Sequence, residues 1–219
     1  PYRRNVMKKI ILPLLLILTV GMLAAVESEP SAIVGYVKYD CVTGLNFIAL
    51  PMNTGYTMAS DLANAYPGMM DAMNYWDATN QQWIGAYDLG YWEGDFPISS
   101  GSVMMINALS ASPIYSIGNL PSQNTQYSLI LQLNTLMIPL NKSNLTMASE
   151  LADDIILTGG SLDAMNYWDA TNQQWVGAYD LGYWEGDFQV SIGMPLMVNS
   201  LATVVWPAGL RKNVQHSLK

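Results

Sequence analysis

The side chains best suited to chemistry in this 219-residue sequence sit in one short stretch that occurs twice. Tyr91, Trp92, Glu93 and Asp95 lie together in a glycine-containing segment, and Tyr183, Trp184, Glu185 and Asp187 repeat the arrangement. Two carboxylates beside a stacking tryptophan are the parts of a glycosidase, but that reaction needs the pair to flank the scissile bond from both sides. Residues two apart on an extended chain do not do this. The single histidine is His216, so Ser–His, Cys–His and His–metal constellations are all missing. No glycine-rich phosphate cradle is present. Asp77, Asn80, Asp88, Glu93 and Asp95 are oxygen ligands of the kind calcium takes, yet their spacing is not that of a calcium loop. What remains is recognition. Pyranose rings present apolar C–H faces that stack on aromatic planes, while Asp, Asn and Glu take the hydroxyls. The eight residues named first are therefore the candidate ligand-binding set, with no catalysis and no cofactor expected.

These residues must be positioned by elements that are themselves duplicated, and internal repetition decides the architecture. The run from Asp71 to Phe96 recurs 92 residues later, from Asp163 to Phe188, with only Ile84 replaced by Val176. Flanking segments match more loosely: Asn46–Asn53 with Asn134–Asn141, Thr57–Ala63 with Thr146–Ala152, and Gly101–Gly118 with Gly193–Gly209. Two copies of one unit follow, over 26–122 and 123–210, joined by the uncharged segment Gly118–Gln126. Six of the seven tryptophans lie in the duplicated block.

Within each unit the pattern reads as strands. Ile33–Tyr39 and Tyr127–Leu133 are short, apolar and rich in β-branched or aromatic residues. Asn46, Ile48 and Leu50 share one face of the next strand, as do Asn134, Leu136 and Ile138, and Pro51 and Pro139 end these strands. Thr57 and Thr146 are expected to cap a short helix carrying an acid in its first turn. Met73–Trp76, the turn Asp77–Asn80 and Trp83–Tyr87 form a hairpin whose alternation places Trp76 and Trp83 in the core. The loop Gly90–Phe96 carries the candidate ligand-binding residues, and Val103–Leu109 and Leu196–Leu201 add a last strand to each unit. The expected fold is mainly β with a minor α component: two tandem small β-sandwich or open-barrel units, each with one short helix.

Composition bounds the partners. The chain is 51% hydrophobic and 12% charged, apolar enough for a core, with a formal net charge of −8. Four of its nine bases fall in the first ten residues, so the remainder is strongly acidic and nucleic acid is excluded as a partner. Met7-Lys-Lys, an apolar run from Ile10 to Val26 and the small residues Ala24-Ala25 within its end describe a secretory signal peptide over 1–25. The membrane then enters only through that leader. At the other end lies a basic tail, 211–219. Cys41 is alone, which excludes an intramolecular disulfide; a small buried hydrophobe is the expectation, with an intermolecular bridge the alternative. From Phe96 to Asn141 no residue is charged, which suits strands buried between neighbouring modules.

The order Asn46-x-Ile-x-Leu50-Pro-Met-Asn53, a short Thr-capped helix, Trp76-Asp-x5-Trp83, Asp95-Phe96, Gly101 and Met105-Ile-Asn107 resembles a known repeat. It is similar to the Leu-Pro-Leu/helix/Trp-x6-Trp modules of secreted and surface-layer-associated bacterial and archaeal proteins. The resemblance covers Leu45–Gly118 and Leu133–Gly209 and implies modularity and a place outside the cell, generally without catalytic residues. The segment Tyr75–Trp83 is also similar to a kelch hairpin, but two units with a helix in each cannot close a propeller. The sequence therefore leads to an exported, non-catalytic tandem-repeat protein with a structural or adhesive role at the cell surface. A carbohydrate-binding module pair is the alternative. A glycan or a surface protein is the partner expected.

Overall fold

Buried asparagine (Asn46, Asn134) and the proline that ends the same strand (Pro51, Pro139) punctuate the chain at equivalent places in both halves, and the strands between them correspond. The computed structural model describes residues 34–208; the expected signal peptide and basic tail lie outside the described residues. In the first repeat the elements are β1 (Val34–Cys41), β2 (Gly44–Ala49), α1 (Ala59–Ala65), β3 (Met70–Asp77), β4 (Gln82–Asp88), β5 (Trp92–Glu93), β6 (Val103–Ala108) and β7 (Ser112–Asn119). The second repeat runs β8 (Tyr127–Leu129), β9 (Gln132–Met137), α2 (Ala148–Ile156), β10 (Leu162–Asp169), β11 (Gln174–Asp180), β12 (Trp184–Glu185), β13 (Pro195–Ser200) and β14 (Val204–Trp206). The fold is mainly β, with two tandem units and one α-helix in each.

Each unit is a five-stranded antiparallel sheet, in the order β2-β6-β3-β4-β5 and β9-β13-β10-β11-β12. A separate antiparallel ribbon accompanies each sheet, β1 with β7 and β8 with β14. The first ribbon pairs eight residues a strand and the second only three, the largest departure from equivalence between the halves. The uncharged stretch 189–208 holds β13 and β14, and among the described residues no helix is long and apolar enough to cross a membrane.

One face of each sheet holds a core of its own. Ile48, Met73, Ala86, Met104 and Ile106 pack against Leu62 of α1 and Cys41 and Ile114 of the ribbon. Leu136, Met165, Ala178 and Val198 pack against Leu151 and Ile155 of α2 and against Trp206. The opposite faces are not left to solvent. Phe47, Ala49, Val103 and Met105 from the first repeat join Met137 from the second in a third cluster between the repeats. For that reason Asn46–Leu50 is buried on both sides, where period-two patterning alone implies a half-buried strand.

Two local details differ from the sequence reading. Tyr127–Leu133 is not one strand: the chain turns at Ile130–Leu131, held by the buried Asn134, whose side chain accepts from Ile130 N and donates to the carbonyls of Ile130 and Gln132. Asn46 makes the equivalent bonds to Val42 and Gly44 in the first repeat. The helix N-caps are Met58 and Met147 rather than the threonines. The Thr57 hydroxyl donates to the Asp61 carboxylate, which also accepts from Thr57 N and Met58 N, so the acid reaches back over the cap and Thr57 stands one residue outside it. Thr146 and Glu150 do the same.

Candidate functional site

The turn Asp77–Gln81 shows why the duplicated block is built as it is. Asp77 accepts from Thr79 N, Asn80 N and Asn80 Nδ2, fixing an Asx turn that drives Gln81 into the left-handed region at φ +54°. These bonds favour the charged carboxylate and hold it below its ordinary range. So positioned, Gln81 reaches the other repeat. Its Oε1 accepts from Leu133 N and its Nε2 donates to Leu133 O, so that the amide pairs with the outer edge of β9 as another strand would. Trp76 Nε1 donates to the same carbonyl at 2.9 Å.

The second repeat returns the interaction. Gln173, at φ +52°, accepts from Leu45 N and donates to Leu45 O, and Trp168 Nε1 donates to Leu45 O at 2.8 Å. A second reciprocal pair lies behind these: Tyr39 donates to Gly193 O and Tyr127 donates to Gly101 O. Burial pushes both phenols above their ordinary range. Every bond has its counterpart after exchange of the repeats, so the junction is an isologous, dimer-like interface within one chain. It also covers the two sheet edges, β2 and β9, that would otherwise present unpaired backbone.

The aromatic seam breaks this symmetry at one position. Phe47, 7% exposed, lies 5.3 Å from the Trp175 ring and 6.2 Å from Trp83. Its counterpart is Thr135, which lines a cleft of about 220 Å³ with Trp76, Val103 and Tyr127. Trp76 is half-buried, whereas Trp83 is 37% exposed, so the second tryptophan of the hairpin is not a core residue. Its ring lies on the sheet face turned away from the first core, edge-on to Phe47 and Trp76 of the same repeat.

The eight residues singled out in the sequence are brought together in two equivalent loops. Tyr91 is exposed at 64%; Trp92 is half-buried against the first core, and Trp184 against the second. Asp95 accepts from Ser60 N and Ser60 Oγ, and Asp187 accepts from Ser149 N and Oγ, so each carboxylate satisfies a donor in the first helical turn. Glu93 is exposed and pairs with Tyr87 across β4 and β5, as Glu185 does with Tyr179. Tyr183 is exposed like Tyr91. A cleft of about 470 Å³ lies beside the first loop, lined by Ser60, Asn64, Asp88, Tyr91 and Asp95. Asp153 stands in the second repeat where Asn64 stands in the first. Among the described residues no three His, Cys, Asp or Glu side chains gather in a group that would hold a metal ion.

The pattern of the sequence did not single out Tyr87, Tyr179 and their surroundings. A Cβ at Gly85 would meet Asn74 Oδ1 and, at 2.5 Å, the Tyr87 hydroxyl; Tyr87 thus folds back over Gly85 and lies against the sheet. Tyr179 lies over Gly177 in the same way. The spacing Gly-x-Tyr, twice repeated, is the signal that marks it.

Compared with protein-family models, with curated proteins and with solved structures, the chain matches none.

Proposed function

We infer that the chain is an exported, non-catalytic tandem-repeat protein with a structural or adhesive role at the cell surface. The observation that carries this reading is the reciprocal clamp, in which Trp76 and Gln81 hold Leu133 while Trp168 and Gln173 hold Leu45. The most closely repeated segment of the chain is thereby occupied in bracing one module against another, which is what a building unit requires of it. The carboxylate pair supports the same conclusion. Asp95 is engaged by Ser60 and Asp187 by Ser149, so neither acts as a second catalytic carboxylate beside Glu93 or Glu185. Export rests on the basic start, apolar run and small residues of 1–25.

The test is localisation in the producing cells, using antibody to the full chain. The expected result is recovery in the medium or the surface fraction, with digestion by protease added to intact cells. Recovery in the cytosol, protected from that protease, would overturn the reading.

A further inference from the structure

We propose that the outer sheet face around Tyr87, and its copy around Tyr179, is a pair of stacking platforms for the pyranose rings of a neutral polysaccharide. This rests on the surface-adhesive reading and gives it a ligand class. It is a different site from the Tyr91–Asp95 loop.

The register places the parts. Leu45, Asn107, Ala72, Tyr87 and Glu93 are successive partners across β2, β6, β3, β4 and β5, and therefore form one row on one face of the sheet. The row begins at Leu45, where the other repeat docks, and continues past the end of that interface into solvent. Tyr87 is half exposed. The hydroxyl end of its ring lies over Gly85, with the hydroxyl 3.4 Å from Asn74 Oδ1, so the side chain runs along the sheet surface and half of it stays open to solvent. Ala72 beside it and Gly85 beneath it leave that half unobstructed. An aromatic plane of this kind suits the C–H face of a pyranose.

Hydrogen-bonding groups stand on both sides of the ring. Glu93, exposed, is its cross-strand neighbour on β5. On the other side Asn107 Nδ2 donates to Asp71 Oδ1, a bond that orients the amide and leaves the second carboxylate oxygen to accept from a hydroxyl. The second repeat reproduces every part: Ala164, Tyr179, Glu185 and the Asn199–Asp163 bond.

Charge selects the class of glycan. Among the described residues the bases are Lys38 and Lys142, paired with Asp40 and Asp154. Neither belongs to a platform, and each platform carries two acids. Uronic-acid and sulfated chains are repelled; uncharged chains are not. Two equal platforms held by one rigid junction add avidity for a polymer long enough to reach both.

The test is native affinity electrophoresis of the full chain in gels containing a β-glucan, a mannan or a xylan, with alginate as the polyanion. Tyr87→Ala, Tyr179→Ala, the double variant and a Tyr91→Ala/Tyr183→Ala control are run alongside, with circular dichroism and melting checking the fold. The expected result is retardation by at least one neutral polysaccharide, weakened about tenfold or more by either single platform variant, abolished in the double, and kept by the control. The proposal is overturned by retention of binding in the folded double variant, by loss in the loop control alone, by preference for alginate, or by no retardation in any neutral gel. In the last case, surface localisation of the chain would leave the adhesive reading standing while removing its glycan.

Discussion

The indole of Trp76 donates to the main-chain carbonyl of Leu133, in the other repeat, and Gln81 closes on the same residue from both its N–H and its carbonyl. The equivalent bonds to Leu45 run in the opposite direction. The two clamps are chemically alike but not equally covered: Gln81 is half-buried and Gln173 exposed. Loss of a hydrogen bond costs more where water cannot replace it. Gln81→Ala is therefore expected to lower the unfolding free energy by about 1–2 kcal/mol, and Gln173→Ala by less than about 1 kcal/mol. Urea denaturation monitored by tryptophan fluorescence measures both. Equal effects would show that the two clamps are equally solvated.

Buried asparagines act at the start of each sheet. Asn46 and Asn134 each accept one main-chain N–H and donate to two carbonyls, with 3% and 2% of their surface exposed. Replacement of either by alanine leaves buried backbone groups without partners and is expected to cost about 2–3 kcal/mol. The same turn offers a gain. Gly44 sits at φ +101° in the first repeat, whereas Gln132 occupies its place in the second at φ +78°. Gln132→Gly removes that strain, offset in part by greater freedom of the unfolded chain, and is expected to stabilise by roughly 0.5 kcal/mol. Melting temperatures of the three variants test the two signs together.

How far this architecture was legible depended on whether its cause was local. The hairpin around Asp77–Asn80 was readable because the Asx turn and alternating strands are written within a dozen residues. That the chain holds two similar units followed from identity alone. Trp83 was misplaced because alternation gives a face but not what covers it, and its face is the one opposite the first core, where only Phe47 and Trp76 partly cover it. Thr57 was misplaced by one residue because the Asp61 carboxylate, reaching back from within the helix, satisfies the N–H groups of both Thr57 and Met58, and the helix opens at Met58. The clamp was invisible in principle: its acceptors are the backbone carbonyls of Leu45 and Leu133, which carry no side-chain signature. The candidate loop residues share one loop in each repeat because they adjoin in sequence, yet Asp95 reads identically as a ligand or as a helix partner until Ser60 is seen beside it.

Stability is expected to form a plateau through neutral pH and fall on both sides. Asp61, Asp77, Glu150 and Asp169 all have carboxyls held below their ordinary values, by hydrogen bonds to Thr57, Asn80, Thr146 and Asn172 respectively. A depressed native pKa contributes stability above the unfolded value, here 3.8 for Asp and 4.5 for Glu, which is lost as pH falls through the native value. On the alkaline side, burial holds Tyr39 and Tyr127 protonated above the ordinary 10.0. The unfolded chain then releases protons that the native one retains, so stability falls as pH rises past that point. Melting temperature against pH measures both limbs, and an acid limb beginning near neutrality would contradict the assignment.

Cys41 packs with Ile48 and Ile114 in the first core, and burial pushes its thiol up to about 11. The thiolate is the reactive form. Alkylation by iodoacetamide at about pH 8 is expected to be about 100-fold or more slower in the native protein than in denaturant. Mass spectrometry after timed quenching reads the rate. Prompt labelling of the native chain would show that the ribbon β1–β7 opens to expose this side of the core.

Asp95 offers a direct separation of scaffold from recognition. Its two oxygens accept from Ser60 N and Ser60 Oγ, in the first turn of α1, and Asp187 holds Ser149 in the same manner. Removing a carboxylate that satisfies a first-turn donor costs about 1–2 kcal/mol. Asp95→Ala is therefore expected to destabilise by that amount, while Asp95→Asn, whose amide oxygen still accepts from Ser60 N, loses less. Neither substitution touches the row Asn107–Ala72–Tyr87–Glu93, so polysaccharide retardation by the folded variants should match that of the parent chain. Denaturation midpoints and affinity gels, measured on the same preparations, distinguish the two roles. Unchanged stability with lost binding would return Asp95 to the ligand-binding set and shift the site to the loop.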